Sequence, residues 1–346
     1  MQVYRFTERR AGERARRSSL IRLVSLLAVV TMVGSADGQE QFYKPADSAL
    51  SGPLISARTG METAWDLPRN PLADSLPPDK HLAAQIVRGF RIFMHTPRAA
   101  PRFTGNALSC NNCHLNAGQR EKAIPLVGVA GAFPEYSKRA GRMLSLEDRI
   151  VGCFLRSENA LKAIAPGKNP AAGFRGDESI VPASAPEVLA LASYISWMSA
   201  GYEVGSKLPW RGQNTIPAGQ QIPVENLNPE TGKSLFQEKC ITCHGEDGRG
   251  VKIGDKKAGP LWGPDSWNDG AGAARIYTLA GMILYMMPYL ETGSLTAEEA
   301  QQIAAFINSK PRPVFPYKGK DYAAGSVPPD AVYYKGIARN PSVQKR

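Results

Sequence analysis

The sequence has no apolar run of comfortable membrane length, no block of Lys and Arg, and almost no histidine or cysteine to spare. Its one sustained apolar stretch, Leu20–Val33, is interrupted by Arg22 and Ser25 and falls short of the roughly 20 residues a spanning helix needs. Without a basic stripe, the net charge of +11 excludes a dedicated nucleic-acid binder and leaves attraction to small anions or an acidic partner. A zinc site is excluded as well, because it would need ligands from both motifs or extra Cys and His nearby, and the only histidines outside the two motifs described below are His81 and His95. Hydrophobic content of 43% and charged content of 21% exclude wholesale disorder. The 33 Gly and 27 Pro imply many ordered loops.

The first 36 residues hold seven Arg and two Glu, so they contribute +5 of the net charge and the remainder carries +6. A basic start through Ser19, the apolar run and the small residues Gly34-Ser35-Ala36 follow the order of a secretory signal. Residues 1–36 are therefore expected to be a signal peptide. The mature chain is expected to be exported, with no stable membrane insertion after cleavage; an uncleaved anchor is the alternative.

Four of the five cysteines form two copies of one pattern, Cys110-Asn-Asn-Cys113-His114 and Cys240-Ile-Thr-Cys243-His244. Cys-x-x-Cys-His attaches c-type haem: two thiols add to the two vinyl groups, and the adjacent imidazole reaches the iron. A thioredoxin-type Cys-x-x-Cys wants a preceding strand, whereas Gly232–Lys239 before the second motif reads as helix. Two motifs 130 residues apart behind an export signal predict two covalently attached haems.

The fold expected is all-α: two cytochrome c-type haem domains in tandem with loop-rich N- and C-terminal extensions, and no sheet. In the first domain Ile86, Val87, Phe90 and Phe93 mark a helix over Leu82–Met94. Its closing helix follows Ser184-Ala185-Pro186-Glu187, which reads as a capping box with Pro in the first turn. In the second, Gly232–Glu238 opens the domain, and Thr296-Ala297-Glu298-Glu299 caps a closing helix through Ile307. The segments are 37–80 for the N-terminal extension, 81–207 for domain 1, 208–229 for a linker, 230–311 for domain 2 and 312–346 for the C-terminal extension.

With His114 and His244 as proximal ligands, the sixth positions distinguish the two irons. For haem 2 the candidates are Met282, Met286 and Met287. Met287 is preferred, since it lies 43 residues after His244 and precedes Pro288, which biases it to an extended backbone; Met286 is next, and core filling is the alternative for all three. For haem 1 there are only Met143 and Cys153. Cys153 is an unpaired thiol on a helix capped by Ser145-Leu146-Glu147-Asp148. It is either a small buried hydrophobe or a reactive thiol, since Arg149 and Arg156 at i−4 and i+3 share its helix face and flanking cations favour a thiolate. Lys138, Arg139 and Arg142 add charge upstream.

The runs Leu108–Gly118, Phe133–Arg142 and, most specifically, Asp148-Arg149-Ile150-Val151-Gly152-Cys153-Phe154-Leu155-Arg156-Ser157 resemble the dihaem thiosulfate dehydrogenases. The stretches Lys320-Asp321-Tyr322 and Pro328–Tyr334 are also similar. The resemblance implies a periplasmic enzyme that joins two thiosulfates into tetrathionate and passes two electrons on. Haem 1 would be the active site with Cys153 as thiolate ligand, and haem 2 would relay electrons to a cytochrome or similar acceptor. Some relatives exchange a lysine for a methionine at haem 2; here Met286-Met287 stand without a lysine, so His/Met ligation is expected. Some relatives work mainly as tetrathionate reductases, so the direction stays open.

A thiolate lowers an iron potential and a methionine raises it, which makes the path from haem 1 to haem 2 downhill. Doubly charged sulfur anions need fixed cations, expected among Arg139, Arg142, Arg149 and Arg156. Cys153 leaving the iron to attack sulfur is a further expectation. Two alternatives remain at this point: a cysteine-ligated cytochrome of a thiosulfate-oxidising multienzyme system, and a plain dihaem carrier with Met143 on haem 1.

Overall fold

Six helices of eleven residues or more organise the described residues of the computed structural model, which are 70–164, 180–253, 256–323 and 325–337. The expected signal peptide and residues 37–69 of the N-terminal extension lie outside them. Helix α1 is Lys80–Met94, started by Asp79, whose carboxylate accepts from the backbone N–H groups of His81 and Leu82. Helix α2 is Leu146–Arg156, with the expected Ser145–Asp148 capping box. Helix α3 is Pro186–Met198 and α4 is Pro229–Lys239. Helix α5 is Ile276–Met286, and α6, Ala297–Asn308, carries the Thr296–Glu299 capping box.

The same crossing is built twice. In the first half α1 meets α3 at Gly89, where a Cβ would fall 1.9 Å from the Ala190 carbonyl oxygen. In the second half α4 meets α6 at Gly232, where a Cβ would fall 1.9 Å from the Gln302 carbonyl oxygen. Only glycine lets the two backbones approach so closely. Beside each glycine an aromatic pair fills the angle: Phe90 and Tyr194 at 5.5 Å, Phe236 and Phe306 at 5.4 Å between centroids. Burying each such ring contributes about 1.5–3 kcal/mol. The periodicity of Ile86, Phe90 and Phe93 therefore serves one function, seating the opening helix on the closing helix.

Two expectations are corrected, and the expected linker has a packing of its own. The Ser184–Glu187 capping box does not form: Ala185 is the N-cap residue with no side-chain bond, and Glu187 instead accepts from Arg102 at 3.0 and 2.6 Å. An ion pair with a long arginine outcompetes a local backbone bond there. A sheet-free chain is also not observed. Strands β1 (Glu135–Ser137) and β2 (Arg142–Leu144) pair antiparallel around a turn closed by Gly141 at φ 68°. A second ribbon pairs Lys252–Ile253 with Lys256–Lys257. The segment expected as a linker is packed: Leu208, Trp210 and Ile216 are buried, and the Trp210 indole donates to the Val127 carbonyl at 3.1 Å.

The two hydrophobic cores exchange pieces. Phe315 and Tyr317, after α6, enter the first core, and Leu108, just before the first motif, enters the second. Asp330 accepts from the Tyr277 backbone at the start of α5 at 3.0 Å and pairs with Arg275 at 3.2 Å. The C-terminal segment thus straps both halves.

Candidate functional site: two haem-attachment motifs and the Cys153 helix

The first motif is shaped by its neighbours. Cys110–Asn112 form one tight turn in which Asn112 accepts from the Ser109 N–H at 2.7 Å. The Cys110 N–H donates to Thr96 Oγ1 at 3.1 Å, and Asn111 accepts from Ala117 N at 2.8 Å. His114 Nδ1 lies 2.7 Å from the Ile124 carbonyl, so this nitrogen donates and Nε2 is left for a metal. Burial lowers the imidazole to about 4, with the charge of Arg149 acting in the same direction and the Ile124 bond opposing. The ring is neutral, as ligation requires.

Helix α2 packs against the segment just ahead of this motif in the chain, Phe154 lying 5.6 Å from Phe103 between ring centroids. Burial pushes the Cys113 thiol up to about 12, with Glu158 and Cys153 nearby acting in the same direction; burial likewise raises Cys110, with its hydrogen bond to Thr96 opposing. Cys110 and Cys113 form no disulfide, and burial favours the neutral form of both. Among the described residues no three His, Cys, Asp or Glu converge on a metal site. Beside the half-buried Cys153, Gly152 has open space where a Cβ would point, nothing lying within 4 Å. A mid-helix glycine costs about 1 kcal/mol against alanine, and no protein atom explains this one. Neutral thiols, an imidazole with a free Nε2 and open room beside Cys153 fit a covalently attached haem. Met143, the alternative ligand, stands 53% exposed on β2.

The four arginines separate. Arg156 is buried and bidentate to Asp321, with both bonds at 2.9 Å, and its Cζ lies 3.9 Å above the Phe315 ring. Arg139 is half-buried beside it and donates to the Gly270 carbonyl at 3.2 Å; desolvation, then the Arg156 charge, lower its pKa. Arg142 pairs with Asp148 at 3.0 Å. Arg149 is exposed, and its charge reaches His114. The structure therefore does not bring all four to one place.

Glu158 was not legible as a site residue. It is 3% exposed with Oε2 unpartnered, and burial holds its carboxyl well above the usual carboxylate range. A glutamate five residues past a helix cysteine carries no sequence signal of burial.

At the second motif, burial and then the Cys243 charge raise Cys240 to about 11, while Cys243 is exposed. The His244 ring packs 6.5 Å from Phe236. Its Nδ1 is buried without a well-formed hydrogen bond, and the Gly259 backbone is the acceptor that faces it. Met286 is buried in the core, whereas Met287 ends α5 in an extended conformation, φ −126° and ψ 153°.

Residues 101–204 match the family described as SoxA/TsdA, cytochrome c domain, and residues 227–307 match cytochrome C oxidase, cbb3-type, subunit III. The two domains are thus cytochrome c domains, each a carrier of covalently bound c-type haem. The chain is 39% identical over 253 residues to thiosulfate dehydrogenase from Allochromatium vinosum, covering 70% of this chain and 84% of that protein. It is 35% identical over 280 residues to thiosulfate dehydrogenase from Psychrobacter arcticus, covering 80% and 79%. Among solved structures, thiosulfate dehydrogenase (TsdBA) from Marichromatium purpuratum superposes with a TM-score of 0.63 at 32% identity. That match covers 80% of this chain and 55% of that one, so the chain spans little more than half of the solved structure's length.

Proposed function

Since the chain belongs to the family of dihaem thiosulfate dehydrogenases, we propose that it oxidises thiosulfate to tetrathionate at the site between the first motif and α2. Two thiosulfate dianions give one tetrathionate dianion: one S–S bond forms between their terminal sulfurs, two electrons leave, and no proton is exchanged. Haem 1 would be bound through Cys110 and Cys113, with His114 and Cys153 as the residues that would hold its iron. Haem 2 would be bound through Cys240 and Cys243, with His244 and Met287. When bound, the haems would supply the one-electron redox chemistry for the two electrons released, with a thiolate ligand favouring a lower potential and a methionine ligand a higher one.

Cys153 is the thiolate of the site, and Gly152 keeps room beside it. Arg149 is the cation that draws the sulfonate group: it is exposed, it acts on His114, and it makes no ion pair among the described residues. Arg142 flanks the same approach across Asp148. Arg139 and Arg156 hold the C-terminal segment in place instead. The protein works in the periplasm, and its acceptor is a cytochrome or similar redox protein; the N-terminal signal pattern supports this reading. By microscopic reversibility the same site reduces tetrathionate when electrons are supplied.

The observation that carries the reading is the electrostatic coupling of Cys153 to both cysteines of the first motif and of Arg149, on the same helix, to His114, with the alternative ligand Met143 exposed to solvent. The test is a ferricyanide-coupled assay of the haem-loaded protein with tetrathionate measured as product. Thiosulfate-dependent reduction is expected, and Cys153→Gly abolishes it while both haems stay attached. Two intact haems with no turnover in either direction would leave only an electron carrier.

A further inference from the structure

The two halves of the protein meet at an arginine that the proposed reaction does not use. Arg120 lies six residues after His114 and is 5% exposed. Its Nη2 donates to the Tyr289 carbonyl at 2.9 Å, and its Cζ sits 4.1 Å from the centroid of the Tyr289 ring. Tyr289 is two residues beyond Met287. One guanidinium of the first domain therefore holds, by hydrogen bond and ring stacking, the arm that presents the haem 2 ligand.

The other amino group, Nη1, is buried and has no partner. No carboxylate pairs with Arg120 among the described residues. A buried guanidinium without a counter-anion is unfavourable, so the cation asks for an anion that the described residues do not provide. A haem c brings such anions, its two propionates.

A second contact joins the same two regions. The Ile124 carbonyl that orients His114 belongs to a loop whose Ile124 N–H donates to Asn214 Oδ1 at 3.3 Å. The Asn214 backbone oxygen in turn lies 2.3 Å from where a Cβ on Gly281 of α5 would stand. The loop that sets the His114 ring is thus seated on the helix that ends at Met286, one residue before Met287.

We infer that Arg120 is a positioning residue common to both haem sites: it clamps the Met287–Tyr289 arm onto the His114 loop and donates its free Nη1 to a haem propionate. The arm-clamping part rests on the proposed Met287 ligation. One side chain then makes the haem 2 ligand arm and the haem 1 axial loop respond together.

The test uses the full-length, haem-loaded protein and three variants: Arg120→Gln, Arg120→Lys and Met287→Leu. The readouts are the potentiometric titration of both haems, the long-wavelength methionine–iron absorption band, and the imidazole concentration that displaces the methionine. Arg120→Gln is expected to shift both midpoint potentials. It should also lower the displacing imidazole concentration by about tenfold, the effect of losing a hydrogen bond from a charged donor. Arg120→Lys keeps the charge without the two-sided contact, so it should restore the potentials more than the ligand stability. It is also the variant to read if Arg120→Gln does not load haem. If Met287→Leu retains the methionine band, the ligand assignment fails, and the clamp of the ligand arm fails with it. If Met287→Leu loses the band while both Arg120 variants keep wild-type potentials and imidazole sensitivity, the inference about Arg120 alone is overturned.

Discussion

Arg156 and Asp321 stand 165 residues apart in the chain and meet in a buried bidentate pair, with both N–H···O distances 2.9 Å and side-chain exposures of 8% and 6%. Asp321 also accepts from the Tyr334 hydroxyl at 2.6 Å, and Phe315 covers the guanidinium. The C-terminal segment is thereby bolted to the last turn of the Cys153 helix. Removing either partner leaves an uncompensated buried charge. Asp321→Asn or Arg156→Ala should destabilise the protein by roughly 3–5 kcal/mol, measured by denaturant unfolding. Arg156→Lys should not rescue, because a point charge does not replace a planar fork.

Gly152 gives an opposite expectation for stability and activity. Alanine there favours the helix by about 1 kcal/mol and meets no protein atom. Gly152→Ala should therefore raise the melting temperature of the haem-free chain. In the loaded enzyme the methyl group intrudes beside Cys153 and should lower haem occupancy or kcat. Higher stability with unchanged occupancy and turnover would show that the open space serves neither haem nor substrate.

Arg149 separates attraction from structure. Because it is exposed and outside any ion pair among the described residues, Arg149→Gln should leave the melting temperature within about 0.5 kcal/mol of stability. The KM for thiosulfate should rise about tenfold with kcat nearly kept, and the salt dependence of kcat/KM should flatten. An unchanged KM would return Arg149 to ordinary surface.

Tyr334 sets an alkaline limit. Burial, then the Asp321 charge, raise its hydroxyl above the ordinary tyrosine value. A raised folded pKa means that stability is intact below the unfolded value of about 10 and falls as pH rises above it. Unfolding titrations between roughly pH 9 and 11 should show this loss. Tyr334→Phe should flatten the profile, at a cost of about 1 kcal/mol for the missing hydrogen bond.

Much of the site was readable in advance. The motif cysteines and histidines, the Ser145 cap of the Cys153 helix and the Thr296 cap of α6 are local patterns, complete within four or five residues. The Ser184–Glu187 box failed because Glu187 is claimed by Arg102, 85 residues away. Arg156, one of four arginines among which the anion clamp is expected, takes its partner Asp321 from 165 residues away, which no local pattern announces. Glu158 and Arg120 were missed since charged residues are normally solvated, and nothing local says that these two are buried.

The sequence by itself determined where haem is attached, which helices open and close each domain, and that Cys153 lies on a capped helix between the motifs. These depend on covalent spacing, helical period and short-range hydrogen bonds. Tertiary structure alone decided which arginines stay free, which carboxylates are buried, and that Arg120 reaches from the first haem domain to the arm beyond Met287. Those outcomes follow from burial and charge pairing between distant segments, and a cation's partner is chosen by whatever the fold brings within about 3 Å of it.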